Sequence, residues 1–261
     1  MADNPYQSYL LTQQYRDGSN LAARARLHAR FSTNSYSWFS WIFDHFNLPQ
    51  QSRILELGCG PGLLWSQNLA RIPVSWDITL TDFSPGMLDE ARQQLHDNSH
   101  PFTYAVVDAQ TIPYPDKHFD AVIANHMLYH VPDRPRALAE IRRVLKAEGH
   151  FYASTIGDNH LRELEEIFPS RGLDAGQRLS FTLENGAEQL ANFFSHVTLY
   201  RYDDALVVTE AEPLVAFYLS LHRYANMDES ARAELTKRMQ DRIDAHGAIH
   251  ITKAIGLFEA W

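Results

Sequence analysis

The chain has a single cysteine, Cys59, in 261 residues. One thiol excludes an internal disulfide framework and any zinc site built on several cysteines. Basic residues are also in deficit: 23 Lys plus Arg stand against 32 Asp plus Glu, for a net charge of −9. That balance disfavours a nucleic-acid or anionic-membrane partner. No apolar stretch approaches the length of a membrane span. The opening MADNPYQSYL has no basic segment followed by an apolar core, so it does not read as a secretory signal. These absences lead to the expectation of a soluble, reduced, cytoplasmic protein without a membrane partner. With 45% hydrophobic and 21% charged residues, the chain is long enough to bury a substantial core as one large or two small domains.

The middle of the chain alternates between strand and helix patterns. Residues 53–57 (RILEL), 76–81, 102–107, 119–124 and 150–155 read as strands. Between them, a helix is expected from about 62 to 71. A second opens at Ser84-Pro85, an N-cap residue followed by proline at the first helical position, and carries Leu88, Ala91 and Leu95 at helical spacing. A third over 135–146 places Arg142, Arg143 and Lys146 near its end, with Gly149 as its stop. Strands separated by helices of this size predict right-handed crossovers on a parallel sheet. The flanks predict helices over 161–168, 184–194, 213–221 and 229–245, the last with a stripe of Leu235, Met239 and Ile243. Late strands are expected over 197–202 and 248–258.

The segment Glu56-Leu57-Gly58-Cys59-Gly60-Pro61-Gly62 ends a strand and opens a helix. Glycines there permit positive φ and close approach of a ligand to the backbone. The dinucleotide fingerprint needs a glycine three positions after Gly60, where Leu63 stands, so a pyrophosphate cradle is disfavoured. Glu56 beside the loop repels a pyrophosphate and suits a cationic ligand. Alone, the cluster is equally a tight strand–helix turn. Asp82, closing the second strand, is placed to accept from both hydroxyls of a ribose. Asp108 closes the third, where it and the Ala109 amide can reach an adenine edge, with Phe83 and Met87 as apolar faces for the ring. Each Asp taken singly is as readily a strand-end or capping residue; the combination beside a glycine loop is much rarer.

These motifs resemble the class I S-adenosylmethionine-dependent methyltransferases, and within them the small-molecule group of ubiquinone and menaquinone methyltransferases (methyltransferase type 11). The matching stretches are ILELGCGPG (54–62), TDFSPGML (81–88), VVDAQTIPYPDKHFDAVIANHMLYHVPD (106–133) and ALAEIRRVLKAEGHF (137–151). One departure is Ala147-Glu148-Gly149, where the family usually has Pro-Gly-Gly. The resemblance implies an α/β fold: a Rossmann-like seven-stranded, mostly parallel sheet with helices on both faces. To it are added an N-terminal helical extension or lid over 1–48 and, within a methyltransferase domain over 49–261, a helical insertion at about 209–246 before the last strand. It implies S-adenosyl-L-methionine as cofactor. Glu56, Gly58 and Gly60 would line its methionyl part, and Asp82 would hold the ribose. Phe83, Met87, Asp108 and Ala109 would surround the adenine, and Asn125 would face the methionyl group and the sulfonium.

The implied function is transfer of a methyl group, by in-line displacement, to a small acceptor, with aromatic and heterocyclic molecules as candidates. His126 and His130, just after the fourth strand, are the candidate catalytic residues, to take a proton or to orient the acceptor. The alternative for His130 is a structural turn residue. Their four-residue spacing lacks an evident third ligand, so no metal site is expected. Tyr15, Arg30 and Trp38 are candidate substrate or lid residues, with core packing as the alternative for the tryptophan; Tyr6 precedes them, and His222, Arg223 and Tyr224 form a candidate pocket wall. Two other functions stay open: a non-catalytic S-adenosylmethionine-binding or interaction protein on the same fold, and a nicotinamide-dependent oxidoreductase.

Overall fold

The structure is a computed structural model that describes residues 8–16, 19–96, 100–167, 180–221 and 227–261. Its strands in chain order are β1 (Arg53–Leu57), β2 (Asp77–Asp82), β3 (Phe102–Val106), β4 (Phe119–Asn125), β5 (Leu145–Ile156), β6 (Val197–Tyr202), β7 (Ala205–Val208), β8 (Ile249–Thr252) and β9 (Ile255–Ala260). Seven form one sheet in the order β3-β2-β1-β4-β5-β9-β6, while β7 and β8 pair separately. β1 to β5 run parallel, and β9 is antiparallel to both β5 and β6. This is the expected Rossmann-like, mostly parallel sheet. The sequences of the central strands follow from their position: RILEL and FDAVIAN are buried at successive residues, hence on both faces, and so read as continuous apolar runs. β3, at the sheet edge, has only half-buried and exposed positions.

Several expected elements have different bounds, each for a local reason. The helix expected over 62–71 is broken into Leu63–Ser66 and a 3-10 turn at Leu69–Arg71. Buried Asn68 lies at the break, where its side-chain amide donates to the carbonyls of Leu64 and Phe39 at 2.8 and 3.1 Å and competes with helical bonding. The helix expected over 135–146 spans Arg134–Val144, because Leu145 already pairs with Phe119 as the first residue of β5. Gly149 is therefore not the helix stop; it lies in the irregular stretch of β5 between that pair and the Ala121–His150 pair. The helix at Ser84-Pro85 forms as expected over Pro85–Gln94, with the Ser84 hydroxyl accepting from the Met87 N–H.

The single late strand expected over 248–258 is two strands in two different sheets, β8 and β9. They part at Lys253, whose ammonium is buried against the Asp204 carboxylate. β7, the partner of β8, had not been expected. Its four residues are too short a run to stand out beside the acidic pair Asp203-Asp204.

The described residues fall into two compact units. One draws on 36–158, 179–202 and 255–261 and contains the seven-stranded sheet. The other draws on 1–35, 159–178 and 203–254. Its core joins Leu27 and Phe31 of the Ser19–Phe31 helix to Leu214 and Phe217 of the Ala211–Leu219 helix. Leu235, Met239 and Ile243 of the Glu229–His246 helix complete it, in the expected stripe. This division differs from the expected boundaries at 48 and about 209–246. The Trp38–Asp44 helix packs with the sheet, while 19–31 shares a core with the late helices and the β7–β8 pair. Among the described residues, no helix is long and apolar enough to cross a membrane.

Candidate functional site

β1 delivers the glycine loop to the carboxyl end of the sheet. The loop is tied to the end of β2: the Cys59 N–H donates to the Thr81 carbonyl at 2.9 Å, and the Gly60 N–H to an Asp82 carboxylate oxygen at 2.9 Å. Gly58 is required twice over. Its φ is +67°, and a Cβ there would lie 2.9 Å from the Met127 Cβ in the turn after β4. Cys59 is buried and its Sγ contacts the Gly60 carbonyl at 3.4 Å. Burial, with the charges of Glu56 and Asp82, pushes its thiol well above the ordinary range, so it is a packing residue rather than a nucleophile.

Two carboxylates flank this loop. Asp82 accepts from the Gly60 N–H on one oxygen and from the Ser84 N–H on the other, at 2.9 and 2.8 Å. Burial raises its carboxyl above the usual range against the pull of those amides. The Phe83 amide pulls on it as well, and the four acceptor sites of a carboxylate leave capacity beyond these amides. Glu56 is 2% exposed. It accepts from the Trp65 indole at 2.6 Å and from the Asn125 amide at 3.2 Å. Burial first, and then the nearby Asp82 charge, push its carboxyl up to about 7. Asn125 ends β4 beside it, and its Oδ1 is buried with no hydrogen-bond partner among the described residues. The carboxyl ends of β1, β2 and β4 thus present two carboxylates held up by burial and one uncommitted acceptor, and among the described residues no basic side chain is hydrogen-bonded to either carboxylate. Such a cup is completed by a cationic group that also donates hydrogen bonds.

The remaining nucleoside candidates are placed less uniformly. Phe83 is 36% exposed and offers a ring face, whereas Met87 is 1% exposed and belongs to the buried side of its helix. Asp108 is engaged locally: its carboxylate accepts from the Gln110 N–H at 2.9 Å and from the Gln110 side-chain amide at 3.0 and 3.1 Å. Ala109 is buried beside it.

After β4 the chain turns sharply at His126, a non-glycine residue at φ +50°. Its N–H donates to both the carbonyl and the hydroxyl of Ser154 on β5, each at 3.1 Å. A left-handed histidine costs about 1–3 kcal/mol and persists where its surroundings impose it. Its ring centroid lies 5.6 Å from that of Trp38, which stacks on Trp41 at 5.2 Å and meets the edge of Tyr202 at 5.2 Å. The Trp38 Nε1 is buried without a hydrogen-bond partner. His130 belongs to the Leu128–His130 turn, its ring set against Tyr129. Tyr15 and Arg30 belong to the other compact unit; Tyr15 caps a helical turn and Arg30 is paired with Glu210. Tyr6, His222, Arg223 and Tyr224 lie outside the described residues. Among the described residues no group of three metal-ligating side chains is assembled.

Trp65 and Ser154 were not foreseen. The helical pattern expected over 62–71 does not single out Trp65, although a buried indole N–H demands an acceptor and Glu56 lies one loop away. At the opposite end of the strands, a cavity of about 390 Å³ is lined by Asp120, Lys146, Glu148 and His150. There Lys146 already bonds Asp120, and His150 bonds Glu259.

Residues 55–153 match the family model described as a methyltransferase domain. Over 112 residues the chain is 34% identical to the ubiquinone/menaquinone biosynthesis C-methyltransferase UbiE of Bordetella avium, covering 43% of this chain and 44% of that one. The chain spans about half the length of the curated relatives it matches, from 44% to 61% in the first three. Among solved structures, the phosphoethanolamine N-methyltransferase 2 of Haemonchus contortus in complex with S-adenosyl-L-methionine superposes with a TM-score of 0.62 at 19% identity, covering 99% of this chain and 60% of that one. The [4+2]-cyclase SpnF superposes at 0.57 with 21% identity, covering 98% and 94%. At these identities the two structures establish the shared fold.

Proposed function

We propose, for a chain whose residues 55–153 match a methyltransferase domain model, that it binds S-adenosyl-L-methionine at the carboxyl ends of β1 to β4 and methylates a small-molecule acceptor. One observation carries this reading. Glu56 and Asp82, both raised by burial, flank the glycine loop while Asn125 Oδ1 is left without a donor. A pyrophosphate placed there would meet two carboxylates, which argues against a nicotinamide dinucleotide. A ribose diol with a sulfonium and an ammonium group supplies donors and positive charge together.

In this reading Asp82 accepts from the ribose hydroxyls with the acceptor capacity its amide bonds leave open. Glu56, Gly58, Gly60 and Asn125 line the methionyl end. Exposed Phe83 gives the adenine a face, Met87 backs it from the core, and Asp108 with Ala109 bounds its edge. When bound, the cofactor supplies an already activated methyl group, so the protein's part is alignment of the acceptor and exclusion of water. His126, fixed by Ser154 in a conformation few side chains adopt, takes the proton of an acidic acceptor or orients a neutral one. His130 stands in the next turn as its alternate, and Trp38 gives the acceptor a flat apolar wall. Tyr15 and Arg30 remain candidates for the acceptor only.

Calorimetry with S-adenosyl-L-methionine and with S-adenosylhomocysteine tests the cofactor, and turnover against a panel of phenols, amines and acidic carbon compounds tests the reaction. Absence of binding refutes the reading. Binding without turnover favours a non-methylating role on this fold, on which the SpnF cyclase is also built.

A further inference from the structure

Trp65 is the largest of the fully buried side chains among the described residues. Its N–H is spent on a single acceptor, Glu56 Oε2, at 2.6 Å. The other oxygen, Oε1, accepts from the Asn125 amide nitrogen at 3.2 Å. An ionised carboxylate can only accept, so it obliges Asn125 to present its NH₂ group and leaves Oδ1 for another donor. That oxygen is buried and has no partner among the described residues. A buried acceptor without a donor is costly and is retained where a ligand provides one.

We propose that Trp65 is a positioning residue for the amino-acid end of the cofactor: its indole holds Glu56, Glu56 holds the Asn125 amide, and Asn125 Oδ1 is thereby kept for the ammonium group of S-adenosyl-L-methionine. This rests on the cofactor reading above and assigns a function to a tryptophan whose ring alone would serve the core. Phenylalanine would fill most of the same space, so only the relay requires the N–H.

The relay has a second consequence. The groups facing Glu56 are Asp82 from the end of β2 and Cys59 from the glycine loop, while Trp65 and Asn125 supply the bonds that favour its ionised form. Removing the Trp65 bond moves the Glu56 carboxyl above its present value of about 7. More alkaline solution is then needed before Asn125 is locked in the receptive orientation.

The test compares two probes by titration calorimetry across pH 6–9: S-adenosylhomocysteine, which carries the amino-acid end, and 5′-methylthioadenosine, which lacks it. Trp65→Phe is expected to weaken S-adenosylhomocysteine roughly tenfold at pH 7, the loss of one charge-assisted bond, and to leave 5′-methylthioadenosine within about twofold. The pH at which S-adenosylhomocysteine affinity is half-maximal should rise. Asn125→Ala should give the same selective loss, and the double variant little more. Equal weakening of both probes, or unchanged affinity and pH profile in a folded Trp65→Phe, overturns the relay. If Trp65→Phe fails to fold, an unchanged ratio of the two affinities in Asn125→Ala overturns it. A wild-type protein that binds neither probe overturns the cofactor reading and this inference with it.

Discussion

Glu56→Gln should stabilise the ligand-free protein while weakening cofactor binding, and the size of the first effect follows from the burial of Glu56. The wild-type carboxyl is 2% exposed and is raised from an ordinary 4.5 to about 7. Between those values the folded state holds more protons than the unfolded one, so stability falls as pH rises through the window. The full penalty is present above pH 7; at about 1.4 kcal/mol per pH unit it is about 3 kcal/mol. Glutamine keeps an acceptor for Trp65 and supplies an N–H donor, which Asn125 Oδ1 now lacks, so it removes the penalty without leaving either neighbour unpartnered. Thermal denaturation of both proteins at pH 5 and pH 8 reads this directly. The variant should match the wild type at pH 5 and exceed it at pH 8, by roughly 2–4 °C per kcal/mol for a chain of this size. Its affinity for S-adenosyl-L-methionine should fall at pH 8, where the wild-type carboxyl is ionised and a negative wall of the cup is lost, and stay near that of the wild type at pH 5, where that carboxyl is already neutral. Parallel stability profiles for the two proteins, or a less stable variant at pH 8, would refute the argument.

Asp82→Ala removes the carboxylate proposed to hold the ribose and leaves the Gly60 and Ser84 amides without their partner; cofactor affinity measured by calorimetry should drop by tenfold or more, roughly one or two charge-assisted bonds. Gly58→Ala combines a φ of +67° with a 2.9 Å approach to Met127, so it should destabilise by about 1–3 kcal/mol in chemical denaturation. In the other compact unit, Lys253→Met leaves the Asp204 carboxylate buried without its cation. Such a break typically costs about 3–5 kcal/mol, visible as a lowered thermal midpoint. His126→Asn keeps a residue tolerated in the left-handed region, so it should preserve folding and cofactor affinity while turnover of an acidic acceptor falls by about 10²–10⁴-fold.

What could be read from the sequence divides along physical lines. The parallel core was legible because central strands buried on both faces write themselves as unbroken apolar runs, as in RILEL and FDAVIAN. Asp82 was legible as a strand-end residue because it directly closes the apolar run of β2, which does end there. Strand ends set by pairing with distant residues were not: Leu145 joins β5 because Phe119 is opposite it, and Lys253 separates β8 from β9 because Asp204 is buried beneath it. The expected extension over 1–48 conceals a switch of allegiance, since 19–31 packs with helices about two hundred residues away, while Trp38–Asp44 packs with the sheet. The bond made by Trp65 was not legible for a related reason. Periodicity reports which face is apolar and says nothing of where an indole N–H finds its acceptor.

The most direct test of the central claim is titration of the wild-type protein with S-adenosylhomocysteine at pH 7.5, with a nicotinamide dinucleotide as the comparison ligand. Saturable one-to-one binding of the first and none of the second is the result predicted by a cup of two buried carboxylates and a waiting amide oxygen. Binding of the dinucleotide instead, or of neither ligand, would contradict it.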